Sequence, residues 1–174
     1  MKNSKDRRSG NAMIEFAFVG IPLIFVLISI FEMARGMWLY HTLAYAVKEG
    51  VRYAIVHGQN CTVAPNNCPI TVQQIVTRIQ QSGVGLLPNQ LAVTMESPPG
   101  SVTVSCTPDL VTSGCWTNTA NWPVYPYNEP GSNIKISGYF PFQSAIAMLW
   151  PGAKGSIQFG KFTFTASSRE AIQF

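Results

Sequence analysis

Charged residues are scarce in this sequence. They make up 11% of the 174 residues, whereas about a quarter is usual in soluble domains. The first ten residues carry +3 of the net charge of +4. Positive and negative charges nearly cancel in the rest of the chain, so the pI near 9.0 reports a short basic tail. Nucleic-acid binding needs a positive surface patch and therefore has little support.

Residue types that carry catalysis are also scarce. The only histidines are His41 and His57, and Asp109 is the only aspartate after residue 10. The sequence contains no glycine-rich phosphate loop, no Gly-x-Ser-x-Gly motif and no cluster of paired carboxylates. These absences argue against an enzyme, and the sequence calls for no cofactor and no metal ion.

The cysteines form two close pairs, Cys61 with Cys68 and Cys106 with Cys115. An even number at close spacing favours disulfides in an oxidising compartment. Zinc binding is the alternative, but the spacings fit poorly with the short motifs of zinc ligands. The two close pairs are the simplest of the three ways to connect four cysteines.

An uncharged apolar segment runs from Phe16 to Phe31. With residues 12–14 it reaches about the twenty residues that cross a membrane as a helix. The basic residues before it predict a cytoplasmic N-terminus and place the rest of the chain outside. A secretory signal peptide has the same charge order. However, no convincing small-x-small cleavage site follows, and the helical pattern continues.

We expect one helix over residues 11–57, because residues 32–57 contain no proline and Gly58 is a natural stop. Pro22 should kink or loosen it locally. In its second half one face is polar while the other supplies apolar surface for packing. The polar face consists of His41, Tyr45, Lys48, Glu49 and Arg52.

Glu15 stands out, because it is a carboxylate at the start of the apolar segment. An ionised carboxylate within hydrocarbon costs on the order of 2.5–3.5 kcal/mol. Three placements would relieve this cost: the headgroup boundary, contact with a partner helix, or a nearby positive charge. If the chain were cut before Asn11, the new α-ammonium would lie one helical turn from Glu15, or near Glu15 of a neighbouring subunit.

The N-terminal stretch resembles the cleavage site of type IV prepilins. A basic leader ends in Gly10, four residues follow, and then Glu15 and Phe16 open the apolar helix. The resemblance implies that a prepilin peptidase cuts between Gly10 and Asn11. Glu15 would then be the fifth residue of the mature chain.

The continuation is similar to the TadE family of pseudopilins, minor pilin-like subunits of tight-adherence pilus systems. The likeness covers about the first 57 residues, with Ala34 and Lys48 at positions where the family commonly has Gly and Arg. The "FTFTASSREAIQF" end is more loosely similar. The matched positions are Glu15, Phe16, Ala17, Pro22, Glu32, Arg35, Ala46, Glu49, Gly50, Arg52 and Ala54.

The matched polar residues also have plainer interpretations. Arg35 and Arg52 are equally well explained as solvated charges, and Glu32 can pair with Arg35 at i,i+3 for a few tenths of a kcal/mol. Gly50 inside a helix costs about 1 kcal/mol relative to alanine. Close approach of another element would explain Gly50.

Residues 58–174 have the composition of a domain outside the cytoplasm, with few charges and the paired cysteines. "ITVQQIVTRIQQSG" predicts a short helix that begins at a Thr71–Gln74 capping box and ends at Gly83. Four segments alternate or are rich in β-branched and aromatic residues, and "SPPG" predicts a hairpin between the first two. These segments are "LAVTME", "SVTVSC", "NIKISGYF" and "SIQFGKFTFTA".

A long loop, residues 106–133, contains Trp116, Trp122, Tyr125 and Tyr127. We expect these side chains, and the apolar segment 139–152, to be buried against the sheet. An exposed patch for a pilus partner is the alternative.

Together these features predict an α+β, pilin-like fold with three parts. Residues 1–10 form the leader, residues 11–57 the long helix with a transmembrane N-terminal half, and residues 58–174 an extracytoplasmic, disulfide-containing domain on a small antiparallel sheet. The resemblance implies that the helix crosses the inner membrane once. The resemblance implies that other pilins and pseudopilins, the prepilin peptidase, the inner-membrane assembly machinery and lipid are partners. The resemblance implies that the chain is a minor pilin or pseudopilin that acts in assembling a tight-adherence pilus, as a priming, tip or minor subunit. The alternative function is an uncleaved, membrane-anchored extracytoplasmic binding domain.

Overall fold

The computed structural model describes residues 6–58, 68–144 and 161–173, with side chains from residue 12 and, after the second gap, from residue 162. The chain divides into two compact units. The N-terminal unit consists of Met1–Gly36 and Ser144–Gly160, and the globular unit consists of Met37–Gln143 and Lys161–Phe174.

The long helix, α1, runs over Asp6–Ile55. It begins before the predicted Asn11, so the backbone on both sides of the Gly10–Asn11 bond is helical. It ends slightly before the predicted His57, and a turn follows up to Gly58. Helical backbone continues through Pro22 without a break. The kink expected at Pro22 stays a prediction.

The part of α1 in the globular unit is amphipathic, as its sequence predicts. Its apolar positions, including Leu43, Val47 and Val51, are fully buried. On the other face His41, Tyr45, Lys48 and Arg52 are exposed, while Glu49 is half-buried. Burial of one helical face is the main contribution to the stability of such a helix.

The second helix, α2, runs over Val72–Ser82. The Thr71 hydroxyl accepts the Gln74 N–H at 3.3 Å, and the Gln74 side chain accepts the Thr71 N–H at 2.9 Å. The predicted capping box is therefore confirmed. The apolar face of α2 is buried through Val72, Ile75, Val76 and Ile79.

Four antiparallel strands form one sheet in the order β2-β1-β3-β4. Their ranges are β1 Ala92–Glu96, β2 Val102–Cys106, β3 Asn133–Gln143 and β4 Lys161–Ala171. The predicted hairpin joins β1 to β2. The fourth strand continues beyond the predicted Ala166 because Ser167–Ala171 pair with Asn133–Ser137 of β3. Residues 156–160 of that prediction lie outside the described residues.

α1 packs on the sheet at Gly138 of β3. A Cβ built on Gly138 would lie 2.7 Å from Val47 Cγ2 and 3.0 Å from Leu43 Cδ1, so only glycine allows this approach. The core of the globular unit combines residues of α1, α2 and the sheet, among them Ile79, Met95 and Ile136. The fold is thus α+β, and within the globular unit the part of α1 after Met37 packs on a small antiparallel sheet.

The aromatic loop is only partly buried. Trp122 is 1% exposed, as predicted, and its Nε1–H donates to Thr103 Oγ1 at 2.7 Å. Tyr125 is 71% exposed, so its predicted burial is wrong, and Trp116 and Tyr127 are also exposed. In segment 139–152 Phe140 and Phe142 are buried, and residues 145–152 lie outside the described residues.

Candidate assembly surface

The N-terminal part of α1 presents apolar side chains on every side. Exposed large hydrophobic residues run from Met13 to Phe31. The best 18-residue window has a mean hydropathy of 2.5, and the described residues bury none of it. A helix that is apolar all round needs lipid or other helices around it. By length and composition α1 can cross a membrane.

Glu15 lies on this surface and is exposed, next to Phe16, which is 79% exposed. It is the only charged residue between Ala12 and Phe31. Asn11 lies one helical turn before Glu15, which is about 6 Å along the axis. The side chains of Gly10 and Asn11 lie outside the described residues, so the cleavage site stays a prediction.

Two ion pairs follow the apolar segment along α1. Arg35 Nη2 lies 3.7 Å from Glu32 Oε2, and Arg52 Nη1 lies 3.1 Å from Glu49 Oε1. Both pairs have the i,i+3 spacing seen in the sequence, and the predicted Glu32–Arg35 contact is present. Arginine side chains exposed at 41% and 57% make such pairs weak contributors to stability.

Gly50 is the family-matched residue with the most specific structural role. A Cβ there would overlap Ile79 of α2, coming within 2.8 Å of its Cδ1 atom, and would lie 3.9 Å from Ile136 Cδ1. The expected close approach is therefore confirmed. Because Gly50 has no side chain, the backbone of α1 packs directly against the Ile79 side chain of α2.

The second cysteine pair is a disulfide. Cys106 at the end of β2 is bonded to Cys115 with a Cα–Cα distance of 5.6 Å. Cys68 is also disulfide-bonded. Cys61 lies outside the described residues, so its pairing with Cys68 stays a prediction.

One polar contact of the sheet was missed at the sequence level. Lys135 Nζ of β3 donates to Glu96 Oε1 of β1 at 2.8 Å, and the Gly100 N–H donates to Glu96 Oε2 at 2.6 Å. The hydrogen bond from Lys135, then that from Gly100, hold the pKa of Glu96 below its usual value against the opposing effect of burial. Only the strand register, which places Glu96 opposite Lys135, reveals this pair.

Asp109 has a structural role in its loop. Its Oδ1 accepts the N–H of Thr112 at 2.6 Å and of Val111 at 2.8 Å. The backbone N–H of Thr112 is the main reason that the pKa of Asp109 lies below its usual value. Asp109 therefore closes a turn, as aspartate commonly does. Among the described side chains no group of three or more His, Cys, Asp or Glu is placed to hold a metal ion.

Part of α1 is similar to a known protein family. Residues 10–52 match the family model described as "TadE-like protein". No curated protein and no solved structure matches the chain. The matched range begins at Gly10, contains Glu15 and both helical ion pairs, and ends at Arg52. Over residues 10–52, the region that contains the exposed apolar surface of α1, this chain is similar to the TadE-like family.

Proposed function

We propose that this chain is a minor pilin or pseudopilin that acts in assembling a tight-adherence, type IV-like pilus, as a priming, tip or minor subunit. The TadE-like match supports a pilus-associated, pilin-like protein. The apolar helix supports a membrane anchor. Before assembly the chain spans the inner membrane once, with its N-terminus in the cytoplasm and its globular unit in the periplasm.

A prepilin peptidase processes the chain between Gly10 and Asn11. This step removes the basic leader and creates an α-ammonium group on Asn11. The leader carries most of the net charge of the chain, and burying those charges among apolar helices would be costly. Removal of the leader therefore frees the apolar helix to leave the membrane and join a helix bundle.

The observation that carries the proposal is the position of Glu15, the only charge on the exposed apolar surface between Ala12 and Phe31. In a bundle of such helices this carboxylate needs a positive partner. The new α-ammonium supplies one, in the same chain or on a neighbouring subunit. A mis-registered helix would leave both charges unpaired in a low dielectric, so the pair also selects the register.

The proposed function implies partners for the chain before and after processing. They are other pilin and pseudopilin subunits that pack on the apolar helix, the prepilin peptidase, the inner-membrane assembly machinery and membrane lipid. The disulfide of the globular unit is consistent with folding outside the cytoplasm.

The intact mass and N-terminal sequence of the protein purified from pilus-producing cells test the proposal. We expect a chain that begins at Asn11, with or without N-methylation. The same protein from cells without the peptidase is the matched control and should begin at Met1. A Met1 terminus in both strains would contradict processing and would favour the uncleaved, anchored binding domain.

A further inference from the structure

Exposed apolar side chains gather where α1 enters the globular unit. We call five of them the apolar collar: Trp38, Tyr40, Val84, Leu87 and Phe162, which are 45–67% exposed. They come from three elements that are distant in sequence, namely α1, the turn after α2, and the start of β4. Large exposed apolar groups from several elements at one place indicate a binding surface.

On one side of α1, the turn after α2 is held beside Trp38. A Cβ on Gly85 would lie 2.9 Å from Trp38 Cη2, and Gly85 has φ +89°, so both space and backbone conformation require glycine. The turn is closed by the Leu86 N–H, which donates to Gly83 O at 3.0 Å. Val84 and Leu87 are therefore held on the surface at the level of Trp38.

On another side of α1, Tyr40 contacts the sheet. Its ring meets Phe164 edge-on, with ring centroids 6.0 Å apart. Phe164 in turn contacts Phe162 at 5.0 Å. Because Trp38 and Tyr40 are two residues apart, they point to different sides of the helix at nearly the same level. The collar thus flanks α1 on two sides.

The chemistry of the collar fits lipid. Residues 36–47 and 83–95 contain no Lys, Arg, Asp or Glu. Tryptophan and tyrosine are the side chains enriched at membrane interfaces, since each has an apolar body and a polar tip. Two collar residues, Trp38 and Tyr40, lie on α1 seven and nine residues after Phe31, where the uncharged apolar segment ends. We propose that the collar lies in the lipid headgroup interface, so that the globular unit itself contacts the membrane surface.

Site-directed spin labelling of the full, unprocessed chain tests this contact. The purified chain is reconstituted in vesicles of phosphatidylethanolamine and phosphatidylglycerol, and single nitroxide labels are placed through Val84→Cys and Leu87→Cys. Val111→Cys and Val124→Cys are matched controls, because these residues are also exposed, at 55% and 47%, but belong to the loop after β2. Collisions of the label with dissolved oxygen report exposure to lipid, because oxygen concentrates in the bilayer. Collisions with a water-soluble nickel complex report exposure to water.

We expect nickel collisions at positions 84 and 87 to be several-fold fewer than at 111 and 124, with more oxygen collisions. Equal nickel accessibility at all four positions would overturn the proposal, because it would show that the collar does not contact lipid. A protein partner would then be the better explanation of the collar. Spin–spin broadening that grows with the protein-to-lipid ratio would assign it to a second copy, which also overturns it. Mass spectrometry confirms the native disulfides in each variant. The result does not depend on peptidase cleavage, so the proposed function and this contact can fail separately.

Discussion

Ile79 of α2 occupies the space that a side chain at position 50 of α1 would need. A Cβ on Gly50 would come within 2.8 Å of Ile79 Cδ1, and Ile79 is fully buried. The helix thus accepts a residue that costs about 1 kcal/mol of helix propensity relative to alanine. Because position 50 has no side chain, α1 and α2 pack in direct contact.

Gly50→Ala should therefore strain the packing of the globular unit. Overpacking should cost about 1–3 kcal/mol of unfolding free energy. The gain in helix propensity, about 1 kcal/mol, should offset part of this cost. Chemical unfolding of the full chain in detergent micelles, followed by tryptophan fluorescence, measures this. Ile79→Ala removes both side-chain atoms that overlap position 50, Cγ1 and Cδ1. Gly50→Ala should therefore cost less unfolding free energy in the Ile79→Ala background than in wild type, and an equal cost in both backgrounds would contradict the packing.

Trp122→Ala should be strongly destabilising. Its side chain is 1% exposed and donates a hydrogen bond to Thr103. Truncating a buried tryptophan costs about 3–5 kcal/mol. The matched control is Trp116→Ala in the same loop, which is 36% exposed and should cost less than about 1 kcal/mol. Equal losses of unfolding free energy in the two variants would refute this assignment.

The Glu96–Lys135 pair should make stability fall in acid. The pKa of Glu96 is lowered in the folded state from its usual value of 4.5, mainly by the hydrogen bond from Lys135. A lowered folded pKa gives stability that is present above the unfolded pKa and is lost as pH falls through the folded pKa. The unfolding free energy of wild type should thus decrease progressively below about pH 4.5.

Glu96→Gln isolates this contribution. It should cost on the order of 1 kcal/mol at neutral pH, because the pair is only partly shielded from water. The difference from wild type should shrink as pH falls below the usual glutamate range. A difference that stays constant between neutral and acid pH would show that the ionised form of Glu96 does not stabilise the fold.

Glu15→Gln should abolish or strongly reduce pilus assembly while leaving cleavage after Gly10 intact. The substitution keeps the shape of the side chain and removes the charge that would pair with the α-ammonium of Asn11. Electron microscopy of pili and the N-terminal mass of the membrane-bound chain are the two measurements. Glu49→Gln is the matched control, since Glu49 lies outside the apolar segment and pairs with Arg52; it should assemble normally. Normal pili from Glu15→Gln would exclude the charge-pairing role.

Local patterns predicted the elements of this fold well. The spacing of apolar residues located both helices, the Thr71–Gln74 capping box is present, and alternating segments correspond to the strands. The Cys106–Cys115 pairing also followed from proximity in sequence. Such signals involve residues a few positions apart, so the sequence displays them directly.

The errors arose where residues distant in sequence meet. Tyr125 and Trp122 occupy the same aromatic loop, yet one is exposed and the other buried. The end of β4 depended on pairing with the start of β3, which extended the strand to Ala171. Composition gives each residue a tendency to be buried, but the available partners decide whether burial occurs.

By itself, the sequence determined the long apolar helix, its lone carboxylate at Glu15 and the basic stretch before it, because chain-local charge and hydropathy define these features. Tertiary structure alone decided which surfaces meet: Gly50 against Ile79, Glu96 opposite Lys135, and the turn at Gly85 beside Trp38. These contacts depend on steric fit and strand register between segments far apart in the chain, and no local pattern encodes them.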